Sequence, residues 1–190
     1  VFPDENITIK QVPQYEIGTF DFTEFDVIMV PNFADQENLY MHKNVFYNFL
    51  KDQKIIVFFG HLFRPWLPGA PLFMPEKIKH FSDYNLYPKN NSSIFKGVLT
   101  EDMTFKKGVA GFFARGHYYA DKNSEIHLIF ESGHVCSYAD RHSTRGTIFV
   151  HAGRSLLGYH SEGKTTDVLR PQFIKWLHDE TKALKGESVQ

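Results

Sequence analysis

Three segments of the chain are apolar almost without a break: "FDVIMVP" (Phe25 to Pro31), "KIIVFFG" (Lys54 to Gly60) and "GTIFVHAG" (Gly146 to Gly153). Such runs read as strands covered on both faces, the pattern of parallel sheets. Between the first two, Leu39, Val45, Phe46, Phe49 and Leu50 fall on one helical stripe, and Asp35 stands ready to cap it. Strand, helix and strand between residues 25 and 60 predict a right-handed βαβ unit with parallel strands.

The rest of the pattern is mixed. "ITIKQVP" (Ile7 to Pro13) alternates and reads as a short strand. "EIHLIFE" (Glu125 to Glu131) and "HVCSYAD" (His134 to Asp140) flank Ser132-Gly133 and predict a hairpin. Residues 61–93 hold many Pro, Asn, Ser and Tyr and read as a long excursion, a length usually tied to function. "IFKGV" then leads to "GVAGFFARGHYY" (Gly108 to Tyr119). The Thr165-Thr166-Asp167 cluster is a candidate cap for a last helix, with Pro171 in its first turn. Leu169, Phe173, Trp176, Leu177 and Leu184 would face the sheet. The expectation is one α/β domain over residues 1–190. It is a three-layer sandwich with a mainly parallel, flavodoxin-like sheet. Ligands of such folds bind where the strands end. Four segments should meet there: Pro31-Asn32-Phe33, Gly60-His61-Leu62, the loop near Arg115 and His117, and His151 to His160.

Composition narrows the function classes. Hydrophobic residues make up 42% of 190 positions, with 19 Phe, enough for a sizeable core. A net charge of −1 gives no bulk attraction to nucleic acid or to an anionic membrane. No apolar run approaches the roughly 20 residues of a membrane helix. One cysteine, Cys136, excludes an internal disulfide and a Cys-rich zinc site. It fits a reducing compartment, so a cytoplasmic location is expected. The sequons Asn6-Ile7-Thr8 and Asn91-Ser92-Ser93 are short enough to arise by chance. The first residue is Val1, which points to a piece trimmed from something longer.

Each candidate site residue has a plain structural alternative. His61, at a strand-to-loop turn, is either a base or ligand donor, or a ring that bonds loop backbone. Arg64 and Trp66 either hold an anionic or sugar-like ligand, or bond loop carbonyls and cover the sheet edge. Cys136 lies mid-strand, where a cysteine is normally a small buried hydrophobe; His134, two residues away, would share its face and activate it otherwise. His61, His117, His151 and His160 converge at one sheet end in this reading, yet no zinc-ligand spacing such as H-E-x-x-H occurs, so no metal is expected. Asp140, Arg141, Arg145 and Arg154 either line the crevice or form solvated turns and surface pairs.

The order "FDVIMVPN", "FLKDQKIIVFFGHLFRPWLPG", "SIFKGV" and "GTIFVHAGRSLLGYH" before an amphipathic helix resembles the class I glutamine amidotransferase-like superfamily, nearest to its ThuA-like (trehalose-utilisation-like) branch. The likeness covers residues 25–185. Members usually begin with a further strand and helix, so the resemblance implies that these precede Val1 in the natural chain. It also implies a Cys-His-Glu triad. The nucleophile position maps onto Gly60-His61-Leu62, which offers no Cys or Ser. The late His-x-Glu maps onto His151-Ala152-Gly153, which keeps the His and lacks the Glu. The branch's "HP-I/L-F-x-G-V" segment reads Ser92-Ser93-Ile94-Phe95-Lys96-Gly97-Val98, without His-Pro. The expectation is a non-catalytic domain without glutaminase activity or cofactor. It would bind a small polar ligand or a partner protein through His61, Arg64, Trp66, Arg115, His117, Arg154 and His160. Two rivals stay open: a ThuA-like hydrolase of a sugar-derived substrate with His61 or His151 as base, and an assembly module or homo-oligomer docking through the aromatics of 61–93.

Overall fold

A computed structural model describes residues 7–187. Asn6 of the first sequon, and the expectation about what precedes Val1, lie outside them. Strands β1 (Val27–Val30) and β2 (Ile55–Phe59) enclose helices α1 (Gln36–Met41) and α2 (Lys43–Lys51). The excursion carries β3 (Met74–Pro75) and β4 (Leu86–Pro88). After it come α3 (Thr100–Thr104), β5 (Phe105–Lys106), β6 (Val109–Ala110) and β7 (Gly116–His117). The chain then forms β8 (Glu125–Phe130), β9 (Val135–Asp140), β10 (Thr147–His151) and α4 (Leu169–Leu184).

The main sheet is mixed, in the order β1-β2-β10-β9-β8-β4. β1 and β10 both run parallel to β2, in the register Val27↔Ile55 and Thr147↔Ile55. The three long apolar runs are therefore parallel neighbours, as their sequence requires. The other pairings, β10–β9, β9–β8 and β8–β4, are antiparallel. This corrects the expectation of a mainly parallel sheet. The reason lies in the connections: β8 to β9 and β9 to β10 are joined by short links, and a short link can join only antiparallel strands.

Helices cover both faces of the parallel half. All five residues of β2 are buried. The Phe58 ring lies 5.4 Å from Trp66, which packs 4.8 Å from Phe46 of α2. The neighbouring Phe59 lies 5.7 Å from Phe173 of α4. Successive strand side chains point to opposite faces, so α2 and α4 sit on opposite sides of the sheet. That is why the run has no polar position. α4 is also tied by charge: the Arg141 guanidinium donates to both Glu180 carboxylate oxygens (2.8 and 2.7 Å), and Thr147 donates to the same Glu180.

Three local readings change. "ITIKQVP" is not a strand; it leads into a 3-10 turn at Gln14–Glu16, and Gln14 Oε1 accepts from the Asp35 backbone N–H (3.0 Å). Asp35 does cap α1, accepting from the N–H groups of Glu37 and Asn38, but His42 breaks the expected single helix in two. Asp167 does not cap α4. Its carboxylate accepts from Ser161 and Gly163 N–H (both 3.1 Å) and so holds the preceding loop. The apolar stripe of α4 forms as expected, with Leu169, Phe173, Trp176 and Leu177 buried and Leu184 partly buried. No helix among the described residues is long and apolar enough to cross a membrane.

Candidate functional site at the strand ends

Gly60 ends β2 with φ +121°, a conformation that L side chains rarely adopt. A Cβ there would lie 1.7 Å from Asn32 Oδ1, so the Asn32 side chain occupies that space. Asn32 Nδ2 donates to Gly153 O (3.2 Å), and Gly60 N–H donates to His151 O (2.9 Å). The three parallel strand ends are thus laced together. Tyr118 closes the turn: its hydroxyl donates to Gly60 O and accepts from Leu62 N–H (3.0 Å). The turn's backbone groups thus bond a buried tyrosine, and its next side chain is His61.

The His61 ring lies flat on Phe73, with centroids 3.8 Å apart and planes at 17°. It is half-buried, and burial, followed by the nearby Arg115 charge, holds its pKa below the usual histidine value. Among the described residues its ring makes no hydrogen bond to loop backbone; stacking fixes it. Only its carbonyl is bonded, accepting from Gln36 Nε2.

His151 is different. It is fully buried, with Nδ1 2.5 Å from Ser137 Oγ and 3.8 Å from Cys136 Sγ. Phe113, Phe59 and Phe95 surround the ring at 5.0, 6.2 and 6.3 Å. Burial pushes its pKa down to about 3, so the ring is neutral. A neutral imidazole enclosed by three phenylalanines has no route to an external substrate, which removes it as a base.

The two histidines do not share a crevice. His151 pairs with Phe59, whose ring faces α4. His61 and Phe73 adjoin Tyr118, and Tyr118 adjoins Tyr138. Tyr138 pairs with Val150, and Val150 with Phe58, the residue facing α2. Directly paired residues share a face, so His61 lies on the α2 side and His151 on the α4 side.

The other candidates scatter. Trp66 is completely buried between Phe46 and Phe58, and so is a core residue rather than a ligand platform. Arg64 pairs with Glu37 (2.8 Å) and lies over the Tyr40 ring (4.5 Å). Arg115 is exposed, with Nε donating to Gly111 O (2.9 Å). His117 is buried against Glu76 (2.8 Å). His160 is exposed on the loop after β10. Asp140 and Arg141 do not reach the strand ends. β9 runs against β10 and pairs Asp140 with Ile148, near the opposite end of that strand. There Asp140 accepts from His142 and Ser143 N–H (2.7 and 3.0 Å) and stabilises its own turn. Cys136 is fully buried with its thiol pushed up to about 12, the inert thiol its sequence position implies. His134 does not activate it; its ring turns to Glu76.

Arg154 borders a cavity. A cleft of about 400 Å³ is lined by Lys106, Lys107, Val109, Phe112 and Arg154. Lys107 (φ +51°) and Gly108 (φ +75°) form the turn between β5 and β6, both with positive φ, the shape of a tight primed hairpin. This turn presents two lysines beside the end of β10. Arg154 Nε donates to Phe112 O (3.1 Å), and Lys106 Nζ lies 4.7 Å over the Tyr159 ring. Sequence reasoning missed Lys106 and Lys107. The local signal is the Lys107-Gly108 pair between Phe105-Lys106 and Val109-Ala110, a glycine-bearing two-residue turn of the hairpin kind.

No protein-family model matches the chain, and no curated protein does. The fold is similar to the solved structure of cytoplasmic protein STM1381 from Salmonella typhimurium LT2, with a TM-score of 0.53 over 97% of this chain and 83% of that one. At 11% identity this likeness extends to the fold, a mixed α/β architecture, and no further.

Proposed function

We propose that the chain is a non-catalytic amidotransferase-like domain that binds a small polar anion in the cleft of Lys106, Lys107 and Arg154. The observation that carries this reading is the lining of the cleft: three cations, two apolar side chains and no carboxylate. Arg154 is pre-oriented by its bond to Phe112 O, and an oriented guanidinium suits a bidentate anion such as a carboxylate or phosphate. Phe112 and Val109 offer an apolar wall to a sugar-like body. The closed Gly60 turn, the buried His151 and the un-ionised Cys136 support the absence of glutaminase chemistry. They also weigh against the hydrolase reading with His151 as base. Partner docking, the other binding mode, has its support in Phe33 and Phe63, which stand 99% and 63% exposed on loops at the strand ends.

Calorimetric titration with inorganic phosphate and with glucose 6-phosphate at low salt tests the cleft. Both should bind, glucose should not, and Arg154→Ala and Lys106→Ala should each weaken binding at least tenfold. Equal affinity in wild type and both variants refutes the site. Ammonia release from glutamine above background refutes the non-catalytic reading separately.

A further inference from the structure

Glu76, His117 and His134 meet although they come from three distant segments. Pro75 pairs with Gly116 in the β3–β7 ribbon, and Glu76 N–H donates to Arg115 O (3.0 Å), which sets Glu76 beside His117. A bridge between Tyr118 and Val135 brings His134 to the same place. Glu76 Oε2 then lies 2.8 Å from His117 Nδ1 and 3.0 Å from His134 Nδ1. The two imidazoles stack face to face at 3.9 Å.

The Glu76 side chain is only 4% exposed, and a buried carboxylate needs compensating charge. Among the described residues its ion-pair partners are these two histidines. A divalent cation held by all three side chains would supply that charge, with both imidazoles in the neutral form a metal ligand takes.

We propose that Glu76 Oε2, His117 Nδ1 and His134 Nδ1 form a zinc site with a fourth position open to solvent. All three ligand atoms lie within 4.8 Å of one another. Two imidazoles and one carboxylate are a donor set zinc accepts, and three protein ligands leave one tetrahedral position free. Bonds of about 2.0–2.2 Å would place the ligand atoms about 3.3 Å apart, so the two contacts to Glu76 Oε2 open by a few tenths of an ångström, and the rings, now stacked at 18°, turn until both in-plane Nδ1 lone pairs meet at the ion. The open side is that of His134, 40% exposed, and of Tyr119, whose ring edges both imidazoles. His117 Nε2 is buried without a hydrogen-bond partner. Zinc histidines are usually held through that second nitrogen, and losing such a bond costs about 10–100-fold in affinity, so micromolar binding is expected. Spacing alone hides this site, because no two of its ligands are local in sequence.

The test is titration of EDTA-treated protein with Zn²⁺ by calorimetry, and with Co²⁺ by visible absorption. One ion per chain should bind, Co²⁺ should give visible bands, and Glu76→Gln and His134→Ala should each lower affinity at least tenfold. His134 is half-exposed, so that variant should keep the wild-type melting curve even where Glu76→Gln does not. No stoichiometric binding overturns the proposal. So does binding retained within threefold in His134→Ala, which would put the ion on other histidines.

Discussion

His61 and His151 stand at the ends of adjacent parallel strands, yet one is a half-exposed ring on Phe73 and the other is sealed in the core. The cause is one backbone angle. His151 is in register with Phe59 and shares its α4 face. Had β2 continued, His61 would also share that face, being two residues on. Gly60 at φ +121° ends the extended geometry and sends the His61 ring to the α2 side. Two histidines equivalent in sequence pattern thus differ in environment, and environment decides whether an imidazole can titrate or bind.

The comparison breaks most sharply at His151. His151→Ala empties an aromatic-lined site and strips Ser137 Oγ of its partner, so a loss of about 2–4 kcal/mol is expected in urea unfolding. A loss below 1 kcal/mol would mean that the ring is not a core element. Acid sharpens the contrast. Burial holds His151 down to about 3 and His127, a buried residue of β8 whose ring lies 5.7 Å from Phe149, to about 4, while both protonate near pH 6.5 once unfolded. Above pH 6.5 neither contributes a pH dependence. Below it the unfolded chain binds more protons, so stability falls as pH falls, by about 1.4 kcal/mol per pH unit for each histidine. Urea midpoints between pH 7.5 and 5 should show this decline, and His151→Gln should make its slope shallower. A flat profile would contradict the burial of both rings. His61→Ala is the smallest effect. It removes a half-exposed stacked ring, and a change of less than about 1 kcal/mol in thermal unfolding is expected. Phosphate affinity should stay unchanged, since His61 is not among the cleft residues. A larger loss of either would reassign His61 to the core or to the site.

The sequence by itself determined the parallel core. Unbroken apolar runs need cover on both faces, and the 25–31, 54–60 and 146–153 segments find it between α2 and α4. It determined the Ser132-Gly133 hairpin, the Asp35 cap and the inertness of Cys136, because each depends on neighbours close in sequence or on a simple period. Tertiary structure decided the rest. Short links set β9 against β8 and β10, but that this hairpin extends the parallel core by joining β10 was decided only in the fold, and it carried Asp140 and Arg141 away from the strand ends. Which faces His61 and His151 occupy depends on the Gly60 angle and the strand register. The Lys106–Arg154 cleft and the Glu76–His117–His134 cluster join residues far apart in the chain. Local patterns cannot encode such meetings, because they arise only when the loops close over a sheet whose order is already set.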